Sequence, residues 1–108
     1  MHSINNAEKQ LGTTFSREYR EYLHAFGDAS VNGHEITGIT DSKRIDVVSV
    51  TLEERERNPS VPIALYVVEQ THIDRIVIWQ HADGSIYQTI PGVGPKKIYD
   101  CLYDYVAS

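Results

Sequence analysis

Between residues 61 and 90 the hydrophobic pattern changes from a helical repeat to short, dense runs. Ile63-Ala64-Leu65-Tyr66-Val67-Val68 and Arg75-Ile76-Val77-Ile78-Trp79 are rich in β-branched and aromatic residues and bounded by polar turn residues, which predicts two strands. Apolar residues occupy both alternating sets of positions, so these strands need cover on both faces, or on one face with aromatics shielding the other. A third run at 85–89 follows His81-Ala82-Asp83-Gly84, where Asp-Gly is a hairpin signal because glycine accepts a positive φ. The three runs predict an antiparallel meander, which requires a lid and edge protection from the rest of the chain.

The lid is predicted upstream. Ile4, Ala7 and Leu11 share one helical face, with Ser3 placed to cap the start and Gly12 to close the end. Phe15, Tyr19, Tyr22, Leu23 and Phe26 then recur at i, i+4, i+7, i+8 and i+11, opposite Arg17, Glu18, Arg20 and Glu21. Ser16 is the expected N-cap of that second helix and Gly27 its stop. Residues 28–33 are turn-rich, and residues 34–39 predict a short edge strand or extended arm. Val47, Val48 and Val50 favour extended structure. Thr51-Leu52-Glu53-Glu54 reads as a capping box opening a helix that runs to Asn58 before Pro59. Gly92-Val93-Gly94-Pro95 predicts a turn, with Pro95 in the first turn of a last helix. Ile98, Leu102 and Tyr105 or Val106 form its apolar stripe, with Tyr99 and Tyr103 on a neighbouring face. The fold class expected is α+β: an antiparallel sheet with a meander core and helices packed against it.

The 108 residues suit one domain spanning 1–108, and 41% hydrophobic with 23% charged residues excludes a disordered chain. No apolar run approaches the roughly 18 residues that span a bilayer, and residues 1–10 lack a signal-peptide pattern, so a cytoplasmic protein is expected. The net charge of −5 argues against direct binding of nucleic acid, whose phosphates demand Lys and Arg. The same charge suits a basic protein partner. Cys101 alone makes neither an internal disulfide nor a multi-thiolate site, and its apolar neighbours suggest a small buried hydrophobe.

Catalytic signals are weak. His34-Glu35 lacks the second histidine of a zinc-protease helix, because position 38 is glycine. The glycines at 92 and 94 lack the third glycine and the lysine-serine pair of a phosphate loop. His2, His24, His34, His72 and His81 are scattered, and His81 with Asp83 offers either an acid-base pair or ordinary loop polarity. No enzyme, metal site or cofactor is therefore expected.

Ile4, Ala7-Glu8, Leu11-Gly12, Thr14-Phe15, Glu18-Tyr19, Tyr22-Leu23 and Gly27 resemble the opening helices of the SUKH superfamily, which includes the Smi/Knr relatives. Gly33, Ile36, Gly38 and Ile39 resemble its glycine-punctuated segment. Asp46-Val47, Thr51, Arg55, Pro62, Val67-Val68, Asp83-Gly84, Tyr87, Ile98, Leu102 and Tyr105 follow in similar order. Ser16 departs from the proline usual after that phenylalanine. The resemblance implies a sheet covered by helices and, in bacteria, an immunity protein that neutralises the cognate toxin of a polymorphic toxin system, such as a basic nuclease. Some eukaryotic relatives are regulatory hubs. For toxin binding the candidate acids are Glu35, Asp41, Asp46, Glu53 and Glu54, with Trp79 as a possible apolar anchor. The alternative is a small-molecule-sensing or regulatory interaction module, its pocket lined by Tyr66, Trp79 and Tyr87.

Overall fold

In the computed structural model, which describes residues 2–25 and 29–108, the two opening helices form as their periodicity predicts. Helix α1 (His2–Leu11) buries Ile4, Ala7 and Leu11. At its end Gly12 takes φ +67°, the Gly12 amide bonds the Lys9 carbonyl and the Thr13 amide bonds that of Glu8. This pairing is a Schellman closure, which needs the left-handed residue glycine supplies. Ser3 lies inside α1 and not ahead of it, and its side chain is outside the described residues. Helix α2 (Arg17–Ala25) starts under Ser16, whose hydroxyl accepts the Tyr19 amide at 3.0 Å, and buries Tyr19, Tyr22 and Leu23. The expected last apolar position Phe26, the stop at Gly27, and Asp28 lie outside the described residues, as does Met1.

Where a single arm was predicted, a hairpin forms from β1 (Ala29–Val31) and β2 (His34–Ile36). Asn32 and Gly33 both take positive φ, +51° and +82°, as a two-residue mirror-image turn requires. The arm continues into Thr37, whose amide donates to Val68 and whose hydroxyl donates to the Val67 carbonyl, thereby covering one sheet edge.

Helix α3 (Val47–Arg57) begins ahead of the expected capping box. Asp46 is the N-cap and accepts the Ser49 amide at 3.1 Å and the Ser49 hydroxyl at 3.2 Å. Burial of Val47 and Val50 outweighs their extended preference, which is a weak prior. Thr51 is therefore a mid-helix residue, and its hydroxyl accepts the Val67 amide, tying α3 to the sheet.

The sheet runs β3 (Tyr66–Gln70), β4 (Val77–Gln80), β5 (Ile86–Ile90) and β6 (Val93–Tyr99) in that order, each neighbour antiparallel. The first run pairs later than predicted, since Ile63 after Pro62 is 62% exposed. Arg75 is likewise outside β4, in a left-handed conformation at φ +59°. The predicted last helix is corrected at its start. Residues 95–99 belong to β6, paired to β5 through a corner at Pro91 and Gly92 (φ +79°), and α4 spans only Leu102–Ala107. Pro95 is admissible because β6 is an edge strand, and with Lys96 and Lys97 it discourages edge-to-edge pairing.

Both sheet faces are covered. Tyr66, Val68, Ile78 and Ile86 join the larger core with Phe15, Tyr19, Leu23, Leu102 and Tyr105, which Ile76 and Ile98 flank while partly buried. Val67, Val77 and Trp79 join Val50, Val61 and Leu65 on the other face. A bulge between Val67 and Glu69 resets the alternation, so Glu69 stands opposite Ile78 and faces the larger core.

Candidate functional site

A cleft of about 840 Å³ is walled by the end of α3, the β3–β4 connection and Pro91. Its lip is an unusual loop. His72, Asp74 and Arg75 take φ of +60°, +52° and +59°, which costs roughly 1–2 kcal/mol for an L-residue outside Asn and Asp. Thr71 holds the loop by donating from its hydroxyl to the Ile76 carbonyl at 2.8 Å, and Ile73 at the tip is 63% exposed.

The predicted acids gather partly here, and most are already engaged. Glu54 is buried and accepts from Gln70 Nε2 at 2.6 Å and from Arg57 at 3.3 Å. Glu53 is exposed, 3.8 Å from Arg57. Glu35 takes both arms of the Arg44 guanidinium at 2.8 and 2.9 Å, and these hydrogen bonds hold its carboxyl below the usual range. Asp46 is occupied as the cap of α3, while Asp41 is exposed and in no ion pair among the described residues. Lys43 and Arg75 line the cleft without a paired carboxylate among the described residues. The open charges at this cleft thus include the cations Lys43 and Arg75 and the exposed acid Asp74.

Trp79 is not an anchor. It is 0% exposed, its indole N–H donates to the Thr89 hydroxyl at 2.9 Å, and it fills the core that covers the second sheet face. The proposed pocket of Tyr66, Trp79 and Tyr87 does not exist as such, because Tyr66 and Trp79 are buried on opposite faces. His81 and Asp83 stabilise their turn: the Asp83 amide donates to His81 Nδ1 at 3.1 Å and the Ser85 amide to Asp83 Oδ1 at 2.9 Å. Cys101 is half-buried at the start of α4 and makes no side-chain capping bond.

Two buried polar groups that the sequence reading missed organise the rest. Glu69 receives the Tyr105 hydroxyl, His34 Nδ1 at 3.0 Å and the Glu35 amide at 3.0 Å, locking β2, β3 and α4 together. Burial, followed by the nearby Glu69, pushes the Tyr105 hydroxyl upward, so it remains a donor. Gln80, fully buried, accepts from Tyr66 and Ser16 and donates to Glu18 and the Gly84 carbonyl. Glu69 and Gln80, polar residues that follow directly on the apolar runs Tyr66-Val67-Val68 and Val77-Ile78-Trp79, were the available signal, since buried polar groups require partners.

With this geometry in place, the family comparison decides the relationship: the profile described as SMI1-KNR4 cell-wall, SUKH_5, matches residues 1–92. The chain belongs to the SUKH family. No relative among the curated proteins matches it. The SUKH match takes in α1 through β5 and so covers the cleft and, of the Glu69 cluster, Glu69, His34 and Glu35. It ends before β6 and α4, which leaves the likeness at Ile98, Leu102 and Tyr105 outside the matched span.

That unmatched end of this SUKH chain carries an open surface. Tyr103 is 71% exposed on α4. The helix is capped from α2: Glu18 accepts the Leu102 amide at 2.7 Å and the Tyr103 amide at 2.9 Å. No helix among the described residues is long and apolar enough to cross a membrane.

Proposed function

We propose that this SUKH-family chain is an immunity protein that neutralises a basic protein toxin by binding it, without catalysis of its own. The observation that carries the reading is family membership joined to a net charge of −5. Acids such as Asp41 and Asp104 remain exposed and outside any ion pair among the described residues, which suits the steering of a cationic partner. The hydrogen-bonded cluster of His34, Glu69 and Tyr105 is engaged in joining secondary-structure elements and supports a binding scaffold. The test is neutralisation: a toxin encoded beside this chain, mixed with it, should lose activity in proportion to the chain added up to one equivalent. Full toxin activity in the presence of excess folded chain would reject the proposal.

The cleft supports a second reading. Its volume lies in the usual range for small-ligand sites, and Lys43 and Arg75, in no ion pair among the described residues, favour an anionic small molecule, as in a sensing or regulatory module. Thermal shifts with simple dicarboxylates and inorganic phosphate test it. A rise in Tm that Arg75→Ala abolishes would support this reading, and no rise with any of them would reject it.

A further inference from the structure

We propose that the corner between β6 and α4, centred on Tyr103, is the docking face for an arginine-bearing basic segment of the protein partner; the inference rests on the binding function proposed above. At 71% exposure Tyr103 is the most open large apolar side chain on the described surface, exceeding Ile63 and Ile73. Its backbone is fixed by Glu18, which holds the amides of Leu102 and Tyr103, so the ring stands on a preorganised base. Its chain neighbour Asp104 lines a hollow of about 340 Å³ together with Lys97, Ile98, Tyr99 and Asp100.

The hollow's lining carries two carboxylates, Asp100 and Asp104, against Lys97, with Lys96 exposed next to it on β6. Lys97 is held by Asp100 at 2.9 Å, while Asp104 has no ion pair among the described residues. The β4–β5 turn bearing Asp83 packs against the same corner, where a Cβ on Gly84 would come within 3.4 Å of the Asp100 carbonyl. A guanidinium matches these features together. Its flat cation stacks on an aromatic face, its fork donates to carboxylates, and its stem packs on an apolar wall such as Ile98. The cleft is less suited to the same segment, since its lining sets Lys43, Arg44, Arg57 and Arg75 against Glu53, Glu54 and Asp74. The corner also lies beyond the residues matched by the SUKH profile, so this assignment comes from the geometry of this chain.

The experiment uses the full chain, labelled with ¹⁵N, and two capped pentapeptides, Gly-Arg-Gly-Arg-Gly and Gly-Glu-Gly-Glu-Gly. The arginine peptide should shift amides at 97–104, the shifts should shrink as salt rises, and the glutamate peptide should leave them unmoved. With the toxin itself, Tyr103→Ala should weaken binding about tenfold, as a central aromatic contact does, and Asp104→Asn should slow association at low salt. Glu56→Gln, on the exposed side of α3, should do neither. Shifts at the cleft in place of the corner, or a Tyr103→Ala protein that binds toxin as tightly as the parent, would overturn the docking face while leaving the binding function intact. Arginine-peptide shifts at the corner with no toxin binding by the parent would sustain the face and reject the immunity reading.

Discussion

Removing the Glu18 carboxylate should loosen α4 more than any other part of the fold. In Glu18→Ala three donors lose their acceptor: the amides of Leu102 and Tyr103, at 2.7 and 2.9 Å, and the buried Gln80 side chain at 3.0 Å. A hydrogen bond to a charged group contributes about 1.5–3 kcal/mol, and a missing N-cap costs about 1 kcal/mol. Water can replace part of the acceptor at the exposed Tyr103, and Gln80 keeps its bond to the Gly84 carbonyl. The expected loss is therefore about 2–3 kcal/mol, a large share of the roughly 5–15 kcal/mol typical of a domain. Glu18→Gln keeps one acceptor oxygen and should lose about half as much. Urea melts should show a lower midpoint at unchanged slope, and hydrogen exchange should quicken first at the Leu102 and Tyr103 amides. A loss below about 0.5 kcal/mol, or parental exchange at those two amides, would refute the capping argument.

Asp46→Ala should cost about 0.5–2 kcal/mol through the lost cap of α3, whereas Asp41→Ala should stay within about 0.5 kcal/mol; denaturant melts compare the two directly. Trp79→Phe should lose about 1–3 kcal/mol, since the Thr89 hydroxyl is left buried without its indole donor, and a near-neutral result by calorimetry would contradict that packing. The Ser85 amide, followed by its hydroxyl, holds the Asp83 carboxyl below its ordinary value. The charged form thus favours the fold above the ordinary carboxylate range, and this contribution disappears as pH falls through it. The stability gap between the parent and Asp83→Ala should therefore close from about pH 6 to about pH 3, which parallel melts would follow.

Much of this architecture was legible where local chemistry and tertiary packing agree. The stripes Ile4-Ala7-Leu11 and Tyr19-Tyr22-Leu23 and the Asp83-Gly84 turn needed no long-range information, because periodicity and a positive φ specify them. The turn-rich stretch 28–33 holds the Asn32-Gly33 corner, and the turn expected at 92–95 falls one residue earlier, at Pro91-Gly92. Other features depend on distant partners. Val47 and Val50 are helical because two cores receive them, and Pro95 lies in a strand because β6 is an edge. The bulge at Val67 aims Glu69 at His34 and Tyr105, a placement that pure alternation would put on the wrong face. The site was least legible for the same reason. Whether an acid such as Glu35 or Glu54 is open to a partner depends on Arg44, Arg57 and Gln70 reaching it, and whether an aromatic is an anchor depends on cover, which hides Trp79 and leaves Tyr103 in solvent.

The central claim, that the chain works by binding a basic protein toxin, is tested most directly by association kinetics between the full chain and a catalytically inactive form of a toxin encoded beside it, at several ionic strengths. A one-to-one complex, with an association rate that falls steeply as salt rises and a dissociation rate that changes little, is the predicted result. Two folded proteins that form no complex at concentrations up to about 10 μM, at any salt, would contradict the account.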